Sequence, residues 1–298
     1  MAEPVLLTGA RGFVGRAVLA ELLARGVPVQ AVSRSAGPAQ PGVTWHRADL
    51  LDPADRARLL GEADAPRLIH CAWEVEHGTF WTSPANALWR AASRDLVAGF
   101  LARGGQRVIA LGTCAEYDAS APGPWNEARP LAPATPYGAA KAGLFTDLAA
   151  LGGDKLLWAR LFHLYGPGED PRRLISSLAA TLRAGRLAEV RAAGLLRDYA
   201  STAHVARCLV RLLESPAAGA MDIGSGAART LGQLAEILGN LAGRPDLLRL
   251  SHTPSPTEPP SMVPTLDRMH AALGTVSESP EAGLARLWRE MTAPHRQG

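Results

Sequence analysis

A glycine-rich turn joins the first apolar run of the chain to its first amphipathic stretch, and this junction restricts the possible folds most. Residues 4–8 are typical of a buried strand, and residues 15–25 have the apolar spacing of a helix. Glycines between a strand and a helix permit a tight turn, in which backbone N–H groups approach a phosphate at the helix N-terminus. The predicted turn comprises Gly9, Arg11, Gly12, Phe13, Val14 and Gly15. The alternative is a turn of the same shape that binds no ligand.

Short apolar runs then alternate with helical patterns through the first half of the chain. Strands are predicted at residues 27–32, 67–70, 107–111 and 155–162, and helices at residues 55–60, 85–102 and 136–150. Alternation of this kind predicts βαβ units and a mostly parallel sheet, so the expected fold class is α/β.

The pattern changes after residue 165. Helices are predicted at residues 174–184 and 230–241, a strand at 220–224, a loop at 252–264 and a frayed tail at 293–298. We therefore predict a nucleotide-binding domain over residues 1–165. A smaller α/β lobe is predicted over residues 166–298, with segments that return to the first domain.

The composition of the 298-residue chain excludes several classes of protein. Hydrophobic residues make up 47% and charged residues 20%, which is ordinary for a globular protein and excludes bulk disorder. A net charge of +3 without a basic stripe predicts no nucleic-acid partner. No apolar run approaches the ~18 residues of a membrane-spanning helix, and we expect no signal peptide. Three widely separated cysteines predict neither a disulfide framework nor a metal site, and a reduced cytoplasmic setting is expected.

The end of the second predicted strand bears on which dinucleotide the glycine turn would bind. An enzyme that prefers NAD usually has Asp or Glu there to hold the ribose hydroxyls. This chain has Ser33 and Arg34 instead, and a guanidinium pairs bidentately with a 2′-phosphate. Arg11 in the glycine turn adds a second charge. We therefore predict NADP(H) as the preferred cofactor and NAD(H) as the alternative; both arginines can also be solvated loop residues.

Two other strand ends are expected to contact the cofactor. The predicted contacts are Asp49 and Leu50 after the third strand, and Cys71, Ala72 and Trp73 after the fourth. Small residues after the fourth strand let the backbone close over a dinucleotide. We interpret His70 as a packed strand-end residue and not as a catalytic group.

Tyr137 and Lys141 carry the most specific chemical signal in the sequence. Residues four apart on a helix lie on one face, one turn apart. An ammonium group there is expected to lower the pKa of the phenol, which then exchanges a proton with a carbonyl or alcohol oxygen. Thr113 ends the preceding predicted strand, where its hydroxyl would complete an oxyanion site. The alternative is a surface pair without function.

Together these motifs resemble the extended short-chain dehydrogenase/reductase family of NAD(P)-dependent sugar-nucleotide epimerases, dehydratases and reductases. The resemblance covers nearly the whole chain. It rests on residues 8–15, 49–50, 70–73, Thr113 with Tyr117, Tyr137 with Lys141, and residues 160–167, 197–199, 204–205 and 222–226.

The resemblance implies a doubly wound Rossmann domain with Thr113, Tyr137 and Lys141 as the catalytic residues. Tyr137 would be the acid/base, and Lys141 would also hold the nicotinamide ribose. The resemblance further implies that the smaller lobe binds a nucleoside-diphosphate sugar. His163 stands where the family usually has Asn against the diphosphate, and Arg197 stands where the family places an arginine on the phosphates. An ion pair of Arg197 with an acid such as Asp198 is the alternative.

Residues after Thr113 bear on which reaction of the family to expect. The 4,6-dehydratases carry Asp-Glu there to drive water elimination, whereas this chain has Cys114 and Ala115. The epimerase–reductases carry Cys two residues after the catalytic hydroxyl, whereas Cys114 comes one residue after it and is interpreted as a small loop residue. The predicted substrate contacts are Thr113, Cys114, His163 and Arg197.

We therefore predict an NADPH-dependent reductase that acts at carbon 4 of a nucleotide-linked 4-keto-6-deoxy sugar. An NAD-dependent nucleotide-sugar 4-epimerase is the first alternative, because it needs the same three residues. A non-catalytic NADP-binding regulatory protein is an alternative of another class, which the intact set of Thr113, Tyr137 and Lys141 disfavours.

The resemblance also implies a homodimer that pairs two helices of each subunit. In this chain these would be the helices at residues 85–102 and 136–150. The apolar contacts would come from Leu88, Ala92, Leu96, Leu144 and Leu148. The alternative is that these side chains face the sheet of their own subunit.

Overall fold

A computed structural model of the chain describes residues 2–35, 37–253 and 258–292. The strands are β1 (Val5–Thr8), β2 (Val29–Ser33), β3 (Val43–Arg47), β4 (Arg67–His70), β5 (Arg107–Thr113), β6 (Leu156–Leu161), β7 (His163–Tyr165), β8 (Ala188–Val190), β9 (Leu196–Arg197), β10 (Tyr199–Ser201), β11 (Gly219–Ile223), β12 (Arg229–Thr230), β13 (Leu248–Leu250) and β14 (Ser261–Met262). The helices are α1 (Gly15–Ala24), α2 (Pro53–Glu62), α3 (Ala85–Ala102), α4 (Pro136–Gly152), α5 (Leu174–Arg183), α6 (Thr202–Leu212), α7 (Leu231–Leu241), α8 (Asp267–Leu273) and α9 (Pro280–Thr292).

A central sheet of seven parallel strands organises the molecule. Its order is β11-β6-β5-β4-β1-β2-β3, so the chain starts in the middle and winds outward in both directions. This is the doubly wound Rossmann arrangement, and the predicted fold class is confirmed. The edge strand β11 comes from beyond residue 165.

Helices cover both faces of this sheet, because its strands are apolar on both sides. Leu6 and Leu7 follow one another in β1 and are both buried, yet they belong to the cores on opposite faces. Helices α1 and α6 pack together on the face of Leu7, and α3 and α4 pack together on the face of Leu6. The period of two residues in a strand accounts for this division.

A separate core lies among α5, α7 and α9 in the later part of the chain, with Leu178, Leu234 and Leu284 buried there. Short strands pair around it, in the orders β12-β9-β14, β10-β7 and β13-β8. Strand β14 falls within the segment predicted as a loop at residues 252–264. Residues 254–257 of that loop and the predicted frayed tail, residues 293–298, lie outside the described residues.

Four of the five side chains predicted to form a dimer contact are instead part of the interior of the subunit. Ala92, Leu96, Leu144 and Leu148 are at most 4% exposed, because α3 and α4 turn their apolar faces toward each other and the sheet. Leu88 is 62% exposed. For the four buried residues the alternative interpretation, in which they face their own sheet, is the correct one.

Within residues 2–35, 37–253 and 258–292, no helix combines the length and apolarity needed to cross a membrane.

Candidate active site

The carboxyl ends of β1, β4, β5 and β6 meet at one edge of the central sheet. In open α/β sheets, ligands bind in the crevice beyond these strand ends. Two neighbouring cavities lie there, of about 410 and 200 Å³. Gly9, Gly12, Ala72 and Trp73 line both of them, so the glycine turn runs along the boundary between the two.

The glycine turn packs directly against the loop after β4. Gly9 has a φ of +66°, and a Cβ at this position would lie 2.8 Å from the backbone N of Ala72. Beneath the turn, Thr8 Oγ1 lies 2.7 Å from Nδ1 of His70 and accepts from the Ala72 N–H at 3.3 Å. Burial lowers the pKa of His70 to about 3, so the ring is neutral and packed at the strand end. The turn therefore forms a close backbone cradle, which is what a dinucleotide pyrophosphate requires.

The larger cavity has a polar end beside the last residue of β2. Arg11 donates to Ser35 Oγ at 2.6 Å, and Ser33 Oγ donates to the Ser35 carbonyl. These three residues and the exposed Arg34 line the cavity. The predicted cluster of hydroxyl and guanidinium groups is thus assembled at one place.

Another part of the larger cavity is apolar. Ala48 and Leu50 line it, whereas Asp49 does not. The Asp49 carboxylate accepts from the N–H of Leu51 at 3.0 Å, so it closes its own turn. Leu50 is the member of the predicted pair that borders the cavity.

Thr113, Tyr137 and Lys141 meet in the smaller cavity, which Cys71, Ala72 and Trp73 also line. Thr113 ends β5, and Tyr137 lies in the first turn of α4. The helix starts there because Thr135 accepts from the Gly138 N–H at 3.1 Å and Pro136 follows Thr135 directly. The Thr113 side chain lies close to the Tyr137 phenol and favours a lower pKa of that phenol. The three residues predicted as catalytic are therefore neighbours in one cavity.

Aromatic side chains surround Tyr137. Its ring centroid lies 4.9 Å from that of Phe80 and 5.6 Å from that of Trp81, both edge to face. The Tyr137 N–H donates to the Trp81 carbonyl at 3.1 Å, which ties this aromatic segment to the start of α4. Burial raises the pKa of Tyr137, the neighbouring Thr113 side chain opposes that rise, and the negative charge of Glu116 adds to it. The phenol is therefore protonated at neutral pH.

Lys141 interacts with the protein in a different way from the one predicted. Its Nζ donates to the Leu111 carbonyl at 2.9 Å and lies 3.9 Å above the Trp73 ring. Burial lowers the pKa of Lys141 to about 7. The expectation that Lys141 lowers the pKa of Tyr137 is not met in this structure, because the ammonium faces Leu111 and Trp73 and the phenol is desolvated.

Three of the four predicted substrate contacts, Cys114, His163 and Arg197, lie outside the lining of the smaller cavity. Cys114 packs against an apolar cluster that includes Phe162, and burial raises the pKa of its thiol to about 12. The His163 ring stacks on Tyr199 with centroids 5.0 Å apart. Burial lowers the pKa of His163 to about 3, and its Nε2 is buried with no hydrogen-bond partner.

Arg197 forms an ion pair, but with a different acid from the one named as the alternative. Its Nη2 donates to Glu258 Oε2 at 2.9 Å, and its Nη1 donates to the Pro259 carbonyl at 3.0 Å. The Asp198 carboxylate instead accepts from backbone N–H groups of residues 225 and 226. The Arg197 side chain is 2% exposed, so a substrate phosphate at this guanidinium has to compete with Glu258.

The prediction from sequence missed several residues around the reacting groups. Phe80, Trp81 and Arg173 line the smaller cavity, and Glu116 lies directly behind Thr113. Aromatic residues are only 5% of the chain, so their concentration after the fourth strand was a usable signal. Glu116 stands three residues after Thr113, which is the spacing of a capping box.

Comparison with known proteins gives the family. Residues 5–224 of the chain match the family described as NAD dependent epimerase/dehydratase. The chain belongs to this family. The epimerase/dehydratase family binds NAD(P), and the predicted resemblance to extended short-chain dehydrogenases/reductases is confirmed, as is the prediction that the protein is an enzyme.

Curated members of the epimerase/dehydratase family act on nucleotide sugars. A dTDP-6-deoxy-L-talose 4-dehydrogenase (NAD(P)(+)) from Kitasatospora kifunensis is 27% identical over 305 residues, covering 96% of this chain and 94% of the relative. A dTDP-glucose 4,6-dehydratase from an Actinoplanes species is 26% identical over 265 residues, covering 81% and 82%. Among solved structures, the UDP-glucose 4-epimerase of Thermotoga maritima with UDP-glucose superimposes with a TM-score of 0.84 at 20% identity, covering 97% and 98%.

Proposed function

We propose that this enzyme is an NADP(H)-dependent reductase acting at carbon 4 of a nucleotide-linked 4-keto-6-deoxy sugar. The observation that carries the proposal is the lining of the smaller cavity, in which the described residues include no carboxylate and no imidazole. Elimination of water and exchange of ring protons both need such an acid or base beside the sugar. The hydroxyls of Thr113 and Tyr137 and the amine of Lys141 suffice for carbonyl–alcohol chemistry.

Two thiols near these groups stay protonated at neutral pH, so they cannot accept a proton from the sugar. Cys71 lines the cavity, and burial raises the pKa of its thiol to about 12. Cys114 has the same raised pKa and does not line the cavity. Ala115 has no titratable group at all. These features favour simple reduction over the dehydratase and epimerase–reductase branches of the family.

The name of one relative agrees with this chemistry. The Kitasatospora protein is a 4-dehydrogenase of a nucleotide-linked 6-deoxy sugar and uses NAD(P)(+), and its match extends over almost the whole of both chains. Reduction of a 4-ketone and oxidation of a 4-alcohol are the two directions of one reaction. We extend the position, the sugar class and the cofactor class from that relative to this chain.

The apolar lining of the smaller cavity is evidence for a 6-deoxy sugar as the substrate. Phe80 and Trp81 stand on one side of the cavity, and it is also lined by Leu161, Phe162 and Leu164. A sugar hydroxyl buried here without a partner costs about 1–3 kcal/mol, whereas a methyl group costs nothing of this kind. The cavity is therefore better suited to a 6-deoxy than to a 6-hydroxy sugar.

The polar end of the larger cavity supports NADP(H). Arg11, Ser33, Arg34 and Ser35 stand together where a ribose 2′-phosphate would lie. The described lining of this cavity includes one carboxylate, Glu74, which follows β4, whereas the described lining residues from β2 and directly after it include no Asp or Glu. Charge-assisted bonds from guanidinium to phosphate are stronger than neutral hydrogen bonds. The predicted contacts in the glycine turn and after β4 belong to the same proposal.

Each reacting residue has a distinct role in the proposed reduction. NADPH, when bound, would supply the hydride. Tyr137 is protonated and gives its proton to the oxygen of the former carbonyl. The Thr113 hydroxyl lines the same cavity and steadies the same oxygen. Lys141 stands beside Trp73 and Cys71, where it can hold the nicotinamide ribose.

The proposal also covers the two domains, the substrate contacts, the oligomeric state and the cellular setting. We assign residues 1–165 to cofactor binding and residues 166–298 to substrate binding, with His163, Arg197 and Cys114 as substrate contacts. A homodimer through the outer surfaces of α3 and α4 would use the exposed Leu88. A reducing, cytoplasmic setting is in keeping with the three free thiols.

A turnover assay tests this function. Purified protein is incubated with NADPH and a panel of nucleotide-linked 4-keto-6-deoxy sugars, and the sugar product is identified. We expect reduction at carbon 4 of at least one member, faster with NADPH than with NADH. Loss of water from a nucleotide-linked hexose, or no turnover over the whole panel, would contradict the proposal.

A further inference from the structure

A buried ion pair lies directly behind the reacting groups. The Glu116 carboxylate accepts from Arg160 Nε at 2.7 Å, and the two side chains are 0% and 2% exposed. Glu116 is not among the described residues that line either cavity beside the glycine turn. A buried ion pair is weak support for stability, because desolvation offsets much of its attraction. Its position beside Thr113 points to another role.

Glu116 holds the backbone of Thr113. Its Oε1 accepts from the Thr113 N–H at 2.8 Å, and the Thr113 hydroxyl accepts from the Ala115 N–H at 3.2 Å. These reciprocal bonds form a capping box around the short 3-10 turn Cys114–Glu116. They fix the main chain of Thr113 and the direction of its hydroxyl, which shares the smaller cavity with the Tyr137 phenol.

The surrounding chain leaves room for this carboxylate and fixes its place. Trp158 Nε1 donates to both Glu116 oxygens, at 3.0 and 3.1 Å. A Cβ on Gly112 would lie 2.6 Å from Glu116 Oε1 and 2.2 Å from Trp158 Nε1. Only glycine at position 112 therefore allows the carboxylate to reach the next residue, Thr113.

The charge of Glu116 also acts on the two titratable groups of the site. It raises the pKa of Tyr137, in addition to the effect of burial, and it opposes the lowering of the Lys141 pKa by burial. Both effects favour the protonated form of the group. That form is the one a reductase needs at the phenol.

We propose that Glu116 is a positioning residue for the reaction, because its bond to the Thr113 N–H holds the Thr113 hydroxyl in the cavity that it shares with the Tyr137 phenol. The inference rests on the proposed function to the extent that Thr113 and Tyr137 act on the substrate.

A matched pair of double variants isolates this bond. Removing one charge alone would leave the other buried and unpaired, so both are removed together. Glu116→Gln with Arg160→Met keeps an acceptor for the Thr113 N–H, and Glu116→Met with Arg160→Met does not. The two variants have the same charge and nearly the same volume.

We expect the Gln variant to keep kcat within about threefold of the wild type and the Met variant to lose about 10²-fold, since small misplacements of a reacting group cost this much. NADPH affinity and KM should be the same in both. Hydrogen exchange at the Thr113 amide should be faster in the Met variant alone. Equal kcat and equal exchange in the two variants would overturn the inference.

The same measurements separate this inference from the proposed function. If the wild type reduces no keto sugar but Thr113 exchange still differs between the variants, the proposed function fails and the positioning role stands. If neither double variant folds, Glu116→Asp decides, because it keeps the charge on a side chain one methylene shorter. A large loss of kcat at unchanged KM then supports the role, and wild-type kcat overturns it.

Discussion

Tyr137, the proposed proton donor, is a buried residue. Three aromatic rings and the Thr113 hydroxyl surround its phenol, and desolvation raises its pKa. A phenol with a raised pKa keeps its proton at neutral pH and is ready to give it to an alkoxide. Tyr137 can therefore act as the proton donor in the reduction of a ketone.

Tyr137→Phe keeps the ring packing and removes only the proton donor. Turnover of a keto-sugar nucleotide should fall by roughly 10²–10⁴-fold, which is the usual contribution of general acid catalysis. Fluorescence titration should show unchanged NADPH affinity. Turnover close to that of the wild type would refute the assignment of Tyr137.

Arg34→Ala removes one of the guanidinium groups at the polar end of the larger cavity. The lost bond to a 2′-phosphate should weaken NADPH binding by about 1.5–3 kcal/mol and leave NADH binding nearly unchanged. Arg103→Ala, at the exposed end of α3, serves as the control with the same change of charge. Equal losses for the two cofactors, or none, would contradict the preference for NADP(H).

Lys141→Met tests the lowered pKa through stability. The folded-state pKa of Lys141 is about 7 and the ordinary value is 10.5, so between these values the unfolded chain binds the extra proton. The free energy of unfolding of the wild type should therefore rise with pH across this window. The Met variant should be more stable by about 1–3 kcal/mol near pH 7, and the difference should vanish above about pH 10.5. Denaturant unfolding at several pH values gives the comparison; a less stable variant at pH 7 would show that the lysine is not desolvated.

At the scale of elements, regular patterns were predictable from the sequence and irregular ones were not. Strand β4 was predicted with its observed bounds, as was α3, because periodicity and length both mark them. The segment between them has no repeating pattern, so its rings at positions 80 and 81 could not be placed beside Tyr137. Lys141 was predicted on the correct face of α4, but the contact with Trp73 depends on tertiary packing.

Asn86 forms hydrogen bonds that hold the irregular segment between β4 and α3. Its Oδ1 accepts from Trp73 Nε1 at 2.9 Å, and its Nδ2 donates to the carbonyls of Phe80 and Ser83 at 2.7 and 3.0 Å. The side chain lies in α3 and is 3% exposed, so these bonds are shielded from water. Asn86 therefore holds Trp73 and Phe80, two of the residues whose rings surround Tyr137, and the bond from the Tyr137 N–H holds Trp81.

Asn86→Ala should lower the free energy of unfolding by about 1–3 kcal/mol, because buried polar groups lose their partners. Hydrogen exchange over residues 73–83 should become faster while β5 remains protected, and kcat should fall. Arg103→Ala, exposed at the C-terminal end of the same helix, is the control and should leave the free energy of unfolding, the exchange and kcat unchanged. Unchanged exchange in the Asn86 variant would mean that the segment is held by other contacts.

At the scale of the whole molecule, the site is assembled from distant parts of one chain. The glycine turn follows residue 8, the reacting groups lie between residues 113 and 141, and Arg173 comes from the later part. Strand β11 joins the main sheet from beyond residue 165, so the two parts share backbone hydrogen bonds. Because a later segment such as β11 belongs to the central sheet, the sequence pattern alone does not define where one lobe ends and the other begins.

The acid that pairs with Arg197 could not be identified from the sequence, for a physical reason. Its partner Glu258 lies 61 positions away and outside any regular pattern, whereas the neighbouring Asp198 is a closer acid in sequence. Only the packing of β9 against β14 and the adjoining loop brings the two together. Contacts of this range follow from topology and not from local spacing.

Reduction in heavy water tests the central claim most directly. A nucleotide-linked 4-keto-6-deoxy sugar and NADPH are incubated with the enzyme in D₂O, and the product is analysed by NMR. We predict one 4-hydroxy epimer, oxidation of one NADPH for each sugar reduced, and no deuterium at carbons 3 or 5. Deuterium at either carbon would reveal a base that the cavity lining does not show, and interconversion of 4-hydroxy epimers without net NADPH use would make the protein an epimerase.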